Sequence, residues 1–320
     1  MNKYISAVFV SLILMTVSCE RETLLLSDTV DTPKETTFTI LNGEISGVLR
    51  ESGSPYHATQ ELSINSLQEL TVEPGTRVFF DSRVKLIIKG KLYVRGEKRY
   101  PVLFTAYGNS GWGGIVIDRS SSVEFSFCTI EKINIDANDS SGNGAVLAAD
   151  SYLLINNCII ENNRAVNGGG LYLNSSRGKI SNNIFRSNYS EIFGGAILSE
   201  ESSLEIVNNL FYENEINYYG GTVVLVNNDS AIIQNNIFYR NSIRYEDAEI
   251  SIIGADSGRI DAAYNFFSSG GENPDFLGEN DFHLKLQSPC KNAGNPDTEF
   301  NDFDGTRNDQ GPYGGPFGDW

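Results

Sequence analysis

The segment Ile180-Ser181-Asn182-Asn183-Ile184-Phe185 decides the fold, because its pattern returns at a nearly constant interval. Residues 154–159, 206–211 and 233–238 align with it, and their second asparagines lie at 157, 209 and 236. Together with Asn183, these positions are separated by 26, 26 and 27 residues. Another Asn follows five residues later in each copy. Such self-similarity is the sequence signature of a repeat architecture.

A period of about 26 residues fits one coil of a solenoid with three short strands and three turns, and is too short for a propeller blade. Each strand then pairs with its equivalent in the next coil at about 4.8 Å, so that like residues stack. We expect ladders of Asn side chains, which tolerate left-handed backbone and bond to the amides above and below. The predicted ladder residues are Asn157, Asn183, Asn209, Asn236, Asn162, Asn188, Asn214 and Asn241. The predicted interior columns are Leu154, Ile180, Ile206, Ile233 and Ile159, Phe185, Phe211, Phe238.

Composition agrees with this architecture and excludes several classes of protein. Of 32 Asn residues, 18 lie within residues 151–250, which is unsuited to a helical bundle because Asn favours turns. The chain carries 41 Asp and Glu against 24 Lys and Arg, for a net charge of −17, and no basic cluster. Because a polyanion needs cations from its partner, we expect no nucleic-acid binding.

Residues upstream of the repeats carry a family resemblance. The phrases Pro74-Gly75-Thr76, Gly90-Lys91-Leu92 and Trp112-Gly113-Gly114-Ile115 resemble the opening coils of right-handed parallel β-helix proteins of the pectin-lyase-like fold. The later repeats also resemble those of polymorphic outer-membrane proteins. The resemblance implies an all-β fold, a single-stranded right-handed parallel β-helix over residues 37–272. At about 26 residues for each coil, this length predicts about nine coils. It implies little about function, because the fold hosts lyases, hydrolases, adhesins and inert stalks.

The N-terminus has the pattern of a bacterial lipoprotein. A basic start and a short apolar run precede Thr16-Val17-Ser18-Cys19, so we interpret residues 1–18 as a signal peptide and Cys19 as the lipidated residue. An ordinary signal peptide with an incidental Cys is the alternative. Polar residues 19–36 then form a tether. This predicts a lipid-anchored protein of the cell envelope. The outer membrane is the favoured location, on either its periplasmic or its outer surface.

The C-terminal block, residues 273–320, resembles the terminal segment of secreted bacterial β-helix proteins, and we expect a loop-rich cap there. Asp302, Asp304 and Asp309 have a spacing reminiscent of calcium loops, although the closing Glu of an EF-hand is absent. Their alternative role is to cap turns. We expect no other cofactor.

Cysteine and histidine give few catalytic signals. Cys128 and Cys158 take matching places in successive coils, and we favour stacked interior thiols over an oxidised pair. The two histidines, His57 and His283, lie too far apart in sequence for a dense His metal site.

A binding face has more support than an active site. Nine and ten residues after the Asn column lie side chains that stacked coils would bring to one side as a partly aromatic stripe, suited to sugar rings. These residues are Asn167, Phe193, Tyr218, Tyr219, Tyr245 and Glu246. We therefore expect a binding or scaffold module that contacts glycans or a cell surface. The alternatives are a polysaccharide lyase or glycoside hydrolase, using neighbours among Glu191, Glu215, Glu246, Asp247 and Glu249, and a passive stalk.

Overall fold

The computed structural model describes residues 37–320, except 121, 137–143, 245–248, 255–258 and 269–270. Cys19, Tyr245, Glu246 and Asp247 therefore lie outside the described residues, as do the predicted signal peptide and tether. The unit that begins at Thr37 is one compact body. Its described strands all run parallel to their partners, and the coils wind as a β-solenoid.

One sheet has nine strands, one for each coil. These strands are β2 (Gly47–Leu49), β4 (Glu69–Val72), β7 (Lys91–Arg95), β10 (Val123–Ser126), β13 (Tyr152–Asn156), β17 (Arg177–Ser181), β21 (Ser203–Val207), β25 (Ser230–Gln234) and β29 (Ile260–Ala263). The predicted parallel β-helix is confirmed.

A second sheet has seventeen strands and forms two columns that join at the N-terminal end. Its joining strands are β1 (Thr39–Glu44) and β3 (Tyr56–Ile64). The first column is β5 (Arg77–Phe80), β8 (Val102–Ala106), β11 (Cys128–Glu131), β14 (Ile159–Glu161), β18 (Ile184–Arg186), β22 (Leu210–Tyr212), β26 (Ile237–Tyr239) and β30 (Phe266–Phe267). The second column is β6 (Leu86–Ile88), β9 (Ile115–Asp118), β12 (Val146–Ala149), β16 (Leu171–Asn174), β20 (Ile197–Glu200), β24 (Val223–Val226) and β28 (Ile250–Ile253).

A small third sheet lies between these two columns along the chain. It consists of β15 (Arg164–Asn167), β19 (Tyr189–Phe193), β23 (Glu215–Ile216) and β27 (Ser242–Ile243). Two short 3₁₀ helices, Glu51–Gly53 and Thr298–Phe300, are also described. In the described part of the chain, no helix combines the length and the hydropathy that a membrane span requires.

Alternation along each strand builds the core. In β17, Gly178 and Ile180 face inward while Arg177 and Lys179 face solvent, as a period of two requires. Phenylalanines stack along the interior of the first column: the ring centroids of Phe185 and Phe211 are 5.1 Å apart, and those of Phe211 and Phe238 are 4.7 Å apart. All three rings are fully buried.

The Asn ladders lie where strands turn, and one set stacks as a fully bonded amide column. Asn183 donates its backbone N–H and its Nδ2 to Asn209 Oδ1, at 2.9 and 3.0 Å. The same two bonds link Asn209 to Asn236 and Asn236 to Asn265. A second ladder runs through Asn163, Asn188, Asn214 and Asn241. Because the stacked amides of these two ladders are paired from coil to coil, the ladders fix the register of the turns.

Two predicted ladder residues and two predicted core residues were assigned one position too early. Asn156 pairs with Ser181, so Asn157 aligns with Asn182 and not with Asn183, and it takes a left-handed conformation at φ 51°. Asn162 also has a left-handed conformation but is exposed, and Asn163 takes its place in the ladder. In the same coil Ile155 and Ile160, not Leu154 and Ile159, align with the core residues Ile180 and Phe185.

The reason is an extra residue in one strand. From β13 to β15 the coil-to-coil step is 25, because Tyr152 pairs with Arg177 and Arg164 pairs with Tyr189. Strand β19 then has five residues against four in β15, with a register shift between Ala165 and Asn167. The step is 26 afterwards.

A Ser ladder at another turn was not foreseen. Backbone N–H groups of Ser120, Ser151 and Ser176 each donate to the hydroxyl of the serine one coil on, ending at Ser202, at 2.9–3.0 Å. The sequence carries its signal at residues 151, 176 and 202, at the same 25- and 26-residue steps.

Residues 273–320 are loop-rich, and they lie along the side of the solenoid. They cover the outer face of the first column, where Ile184, Leu210 and Ile237 become buried against Phe282 and Cys290. Their attachment uses the left-handed Asn residues: Asn182 Nδ2 donates to Pro312 O and Gly314 O, and Asn157 Nδ2 donates to Phe317 O. Outward apolar residues on that face explain why a side cover forms.

Candidate functional site

A cleft opens between the nine-stranded sheet and the C-terminal segment. Its volume is about 350 Å³, within the usual range for small-molecule sites. Its lining residues are Lys179, Ser181, Asn182, Glu205, Val207, Asn208, Ile232, Glu299, Phe300, Pro316 and Phe317. The cleft lies beside coils that share the most regular repeats.

The floor of the cleft consists of outward side chains on three neighbouring strands. Lys179, Glu205 and Ile232 are direct neighbours in the register of β17, β21 and β25. Lys179 Nζ lies 2.8 Å from Glu205 Oε2, and both side chains are about half exposed. Ile232 is 40% exposed. The floor therefore offers an apolar surface beside an ion pair that still faces solvent.

The opposite wall is aromatic and is held in place by the solenoid. Phe317 is 68% exposed, and its backbone oxygen accepts a hydrogen bond from Asn157 Nδ2 at 3.1 Å. The backbone oxygen of Phe300 accepts from Asn308 Nδ2 at 2.6 Å. Asn308 is itself paired with Asn208, at 3.1 Å in both directions. Both rings are thus presented by backbone that is bonded before a ligand arrives.

This arrangement suits a sugar ring. Aromatic and aliphatic side chains pack against the apolar C–H faces, and the Lys179–Glu205 pair supplies a donor and an acceptor for hydroxyls. The cleft combines residues about 100 positions apart in sequence, for example Glu205 and Phe317. Sequence reasoning missed it, because the repeat gives the register of the strands but not the path of the C-terminal segment.

The residues of the predicted aromatic stripe lie in two different environments. Tyr218 and Tyr219 are exposed at 50% and 45%, with ring centroids 4.3 Å apart and edge to face. Phe193 instead packs against an apolar cluster of Tyr172, Leu198 and Val224 on the outer face of the second column. Asn167 pairs with Phe193 across the strands, and its Oδ1 is buried without a hydrogen-bond partner.

The acidic residues weighed for catalysis take separate positions. Glu191 contacts Arg164 at 3.1 Å, the Tyr189 hydroxyl at 2.8 Å and Asn217 Nδ2 at 2.9 Å. Burial raises the pKa of Glu249, whose carboxylate accepts from Thr222 Oγ1 and Asn241 Nδ2. Glu215 is exposed on β23.

The three aspartates of the calcium candidate are turned towards hydrogen-bond donors. Asp302 accepts from the N–H groups of Asp309 and Gly315, at 3.1 and 2.6 Å. Asp304 Oδ1 accepts from both the N–H and the hydroxyl of Thr306, and Asp309 Oδ2 lies 2.8 Å from Lys291 Nζ. Asp304 therefore caps a turn, whereas Asp309 is held by an ion pair. Among the residues that the structure describes, no three His, Cys, Asp or Glu side chains are grouped so as to hold a metal ion.

Both histidines contact carboxylates. His57 Nε2 lies 2.8 Å from Asp81 Oδ1, and His283 Nδ1 lies 2.6 Å from Asp281 Oδ1. The pKa of Asp281 is lowered by its hydrogen bonds from His283. His283 also stacks on Tyr313, with centroids 3.8 Å apart, so it holds two parts of the C-terminal segment together.

Comparison with known protein families agrees with the coil geometry. A family model described as the right handed beta helix region matches residues 105–267, just over half of the chain. The chain belongs to the right-handed β-helix family. Searches of curated proteins and of solved structures found no match.

Proposed function

We propose that this β-helix protein is a non-catalytic binding module that holds a glycan in the cleft between the nine-stranded sheet and the C-terminal segment. The observation that carries the proposal is the pairing of an exposed Phe317 ring with the Lys179–Glu205 ion pair across one preformed cleft. With a net charge of −17, the protein favours a neutral polysaccharide over a polyuronate, because like charges repel.

The deciding experiment is a panel of neutral and acidic polysaccharides, assayed both for retention of the protein and for release of new reducing ends. Phe300→Ala with Phe317→Ala removes the aromatic wall. Tyr218→Ala with Tyr219→Ala is the matched control, since it also removes two rings, from the stripe. We expect retention of the wild type without cleavage, loss of retention in the first variant and little change in the second.

The other outcomes are equally informative. Loss of retention only in the Tyr218 and Tyr219 variant would move the site to the stripe. Cleavage of any polysaccharide would establish the enzyme alternative. If the wild type is retained by no polysaccharide, the binding proposal is contradicted and a passive stalk is favoured. The side-chain ladders are consistent with the stiffness that a stalk needs. Thermal melts of each variant show whether it is folded.

We further propose that the mature protein is anchored in the bacterial cell envelope, most of all the outer membrane, through a lipid on Cys19. The support is the sequence alone, a basic and apolar start that ends in Val17-Ser18-Cys19. Metabolic labelling with an alkyne fatty acid tests this anchor. We expect label on the wild type and none on Cys19→Ala, and an unlabelled wild type would contradict it.

A further inference from the structure

One column of the solenoid contains two cysteines and four asparagines. Where the chain enters the first-column strand, two successive coils have Cys128 and Cys158. The next four coils have Asn183, Asn209, Asn236 and Asn265 at the same place. The backbone N–H of Cys158 donates to Asn183 Oδ1 at 2.9 Å, which is the same backbone bond that each Asn makes to the next. The thiol pair therefore continues the amide ladder towards the N-terminal coils.

The two sulfur atoms are already in contact. Cys128 Sγ lies 3.3 Å from Cys158 Sγ, and Cys158 Sγ also lies 3.0 Å from the carbonyl oxygen of Asn156. Both cysteines are unoxidised in this structure, and both are buried. An S–S bond is about 2.05 Å long, so the sulfurs need to approach by roughly 1.2 Å.

The backbone around the pair is compatible with a bond. The next residues, Thr129 and Ile159, are direct partners in parallel strands. Neighbouring strands in such a ladder lie about 4.8 Å apart, and disulfides span Cα separations of about 4.4–6.8 Å. Adjacent coils thus already hold the two cysteines at a separation that a disulfide bridges without moving either strand.

We propose that Cys128 and Cys158 are a site of oxidative modification, at which a disulfide joins two successive coils. Each thiol loses its proton, one S–S bond forms, and the two electrons pass to a disulfide-containing oxidant, which is reduced to two thiols. Oxidised glutathione or a thiol oxidoreductase in its disulfide form is a sufficient oxidant. The bond forms as the coils pack, before both sulfurs are covered.

The disulfide would supply a strong link between coils at the one position where the column lacks paired amide side chains. Each Asn in the column is linked to the next by two hydrogen bonds to one side-chain oxygen, whereas a thiol is a weak donor and a weak acceptor. The cysteine pair is therefore the weakest rung of the column when reduced. A covalent bond between residues 30 positions apart constrains the unfolded chain and makes this rung the strongest.

Cys290 is a buried thiol in the same chain with which the Cys128 and Cys158 pair can be compared. It is also buried and unoxidised, and it lies in the C-terminal segment, packed in the cluster with Ile184, Leu210 and Ile237. Burial raises its pKa to about 12, and its backbone N–H donates to Ser288 Oγ. We expect it to remain a thiol under conditions that oxidise the pair.

The test uses the full chain, refolded in a glutathione redox buffer, alkylated after denaturation and digested with trypsin. We expect the peptide of residues 120–132 to be linked to that of residues 133–164, and the peptide of residues 286–291 to be alkylated. The linked species disappears on reduction and in Cys158→Ser. The melting temperature should be several degrees higher for the oxidised than for the reduced wild type, with no such difference in Cys158→Ser.

Two results would overturn the inference. One is quantitative alkylation of both cysteines after folding in the oxidising buffer, in protein whose circular dichroism shows the β fold. The other is a link from either cysteine to Cys290 or to a second copy of the chain. Cys290→Ser is the matched control, because it removes a buried thiol and leaves the pair intact.

Discussion

Asn183 gives two hydrogen bonds to a single oxygen, Oδ1 of Asn209, one coil further along the solenoid. Asn209 repeats the arrangement with Asn236, and its own Nδ2 also donates to the carbonyl oxygen of Ile180. Both residues are fully buried. The solenoid therefore contains a continuous buried polar column, in which the hydrogen bonds of each amide are accepted by the amide one coil further on.

Asn209→Asp should destabilise the fold strongly. The change keeps the shape of the side chain but removes the Nδ2 donor to Ile180 O and Asn236 Oδ1, and it buries a charge. Leaving buried groups without partners costs about 1–3 kcal/mol each, so we expect a loss of roughly 3–5 kcal/mol in the free energy of unfolding. Urea denaturation followed by circular dichroism measures it.

Asn162→Asp is the matched control for this change. Asn162 is exposed, at φ 53°, a conformation that Asp tolerates, so the free energy of unfolding should change by less than about 0.5 kcal/mol. Equal losses in the two variants would contradict the division into ladder and turn residues.

The same division shows how far the sequence alone could go. The fixed period predicts stacked coils, their approximate number and three correct rungs of one ladder, Asn183, Asn209 and Asn236, because the side-chain environment repeats with the coil. It misassigns Asn157 and Asn162, since adjacent Asn-Asn pairs allow two alignments and the extra residue of β19 leaves no mark in composition. Only the three-dimensional register separates them.

The candidate cleft was beyond such reasoning for a different reason. Its floor follows from strand alternation, which places Lys179, Glu205 and Ile232 on the outer face. Its wall depends on where residues 300 and 317 return, and this is set by hydrogen bonds from Asn157, Asn182 and Asn208 to backbone that has no repeat of its own. Period-based reasoning contains no information on such contacts.

Phe211→Ala should lower stability through the aromatic stack. The Phe211 ring is fully buried between Phe185 and Phe238, so the change leaves a cavity in the middle of the column. Losses of this type are about 3–5 kcal/mol. Phe303→Ala, at a ring that is 81% exposed, is the control and should be close to neutral in the same denaturation assay. A neutral Phe211 variant would show that the stack does not stabilise the core.

Glu249→Gln should change how stability depends on pH. Burial raises the pKa of Glu249 in the folded state, so between the unfolded and the folded pKa the folded chain binds this proton more tightly than the unfolded chain does. The contribution of this group to stability is then complete below the unfolded pKa of about 4.3 and is lost as pH rises through the folded pKa. The Gln variant keeps the acceptor for Thr222 and Asn241 without the charge.

We therefore expect Glu249→Gln to melt at a higher temperature than the wild type at pH 7 and at nearly the same temperature at pH 4. Differential scanning calorimetry across this range measures the difference. Glu215→Gln, at an exposed position, removes the same formal charge, and its melting temperature should match that of the wild type at both pH 7 and pH 4. A difference for Glu249→Gln that is constant with pH would contradict the assignment.

Asn208→Asp should release the C-terminal segment from the solenoid. Asn208 Nδ2 donates to three acceptors of that segment, Asn308 Oδ1, Asp309 O and Gly311 O, at 2.9–3.1 Å. A carboxylate at this position faces the same three oxygens without a proton to offer, and the contact becomes repulsive. Local opening of the segment should then be roughly tenfold more frequent or greater, while the coils stay folded.

Limited trypsin digestion follows this opening, because Lys291 and Arg307 lie within the segment. We expect faster cleavage there in Asn208→Asp and, since the segment forms one wall of the cleft, weaker glycan retention in parallel. Asn227→Asp is the control, as Asn227 has a similar backbone, φ 49° against 55°, and is exposed at another turn. If Asn208→Asp is cleaved no faster than Asn227→Asp, the segment is held by the apolar contacts around Leu210 and Phe282, and the Asn bonds only set its register.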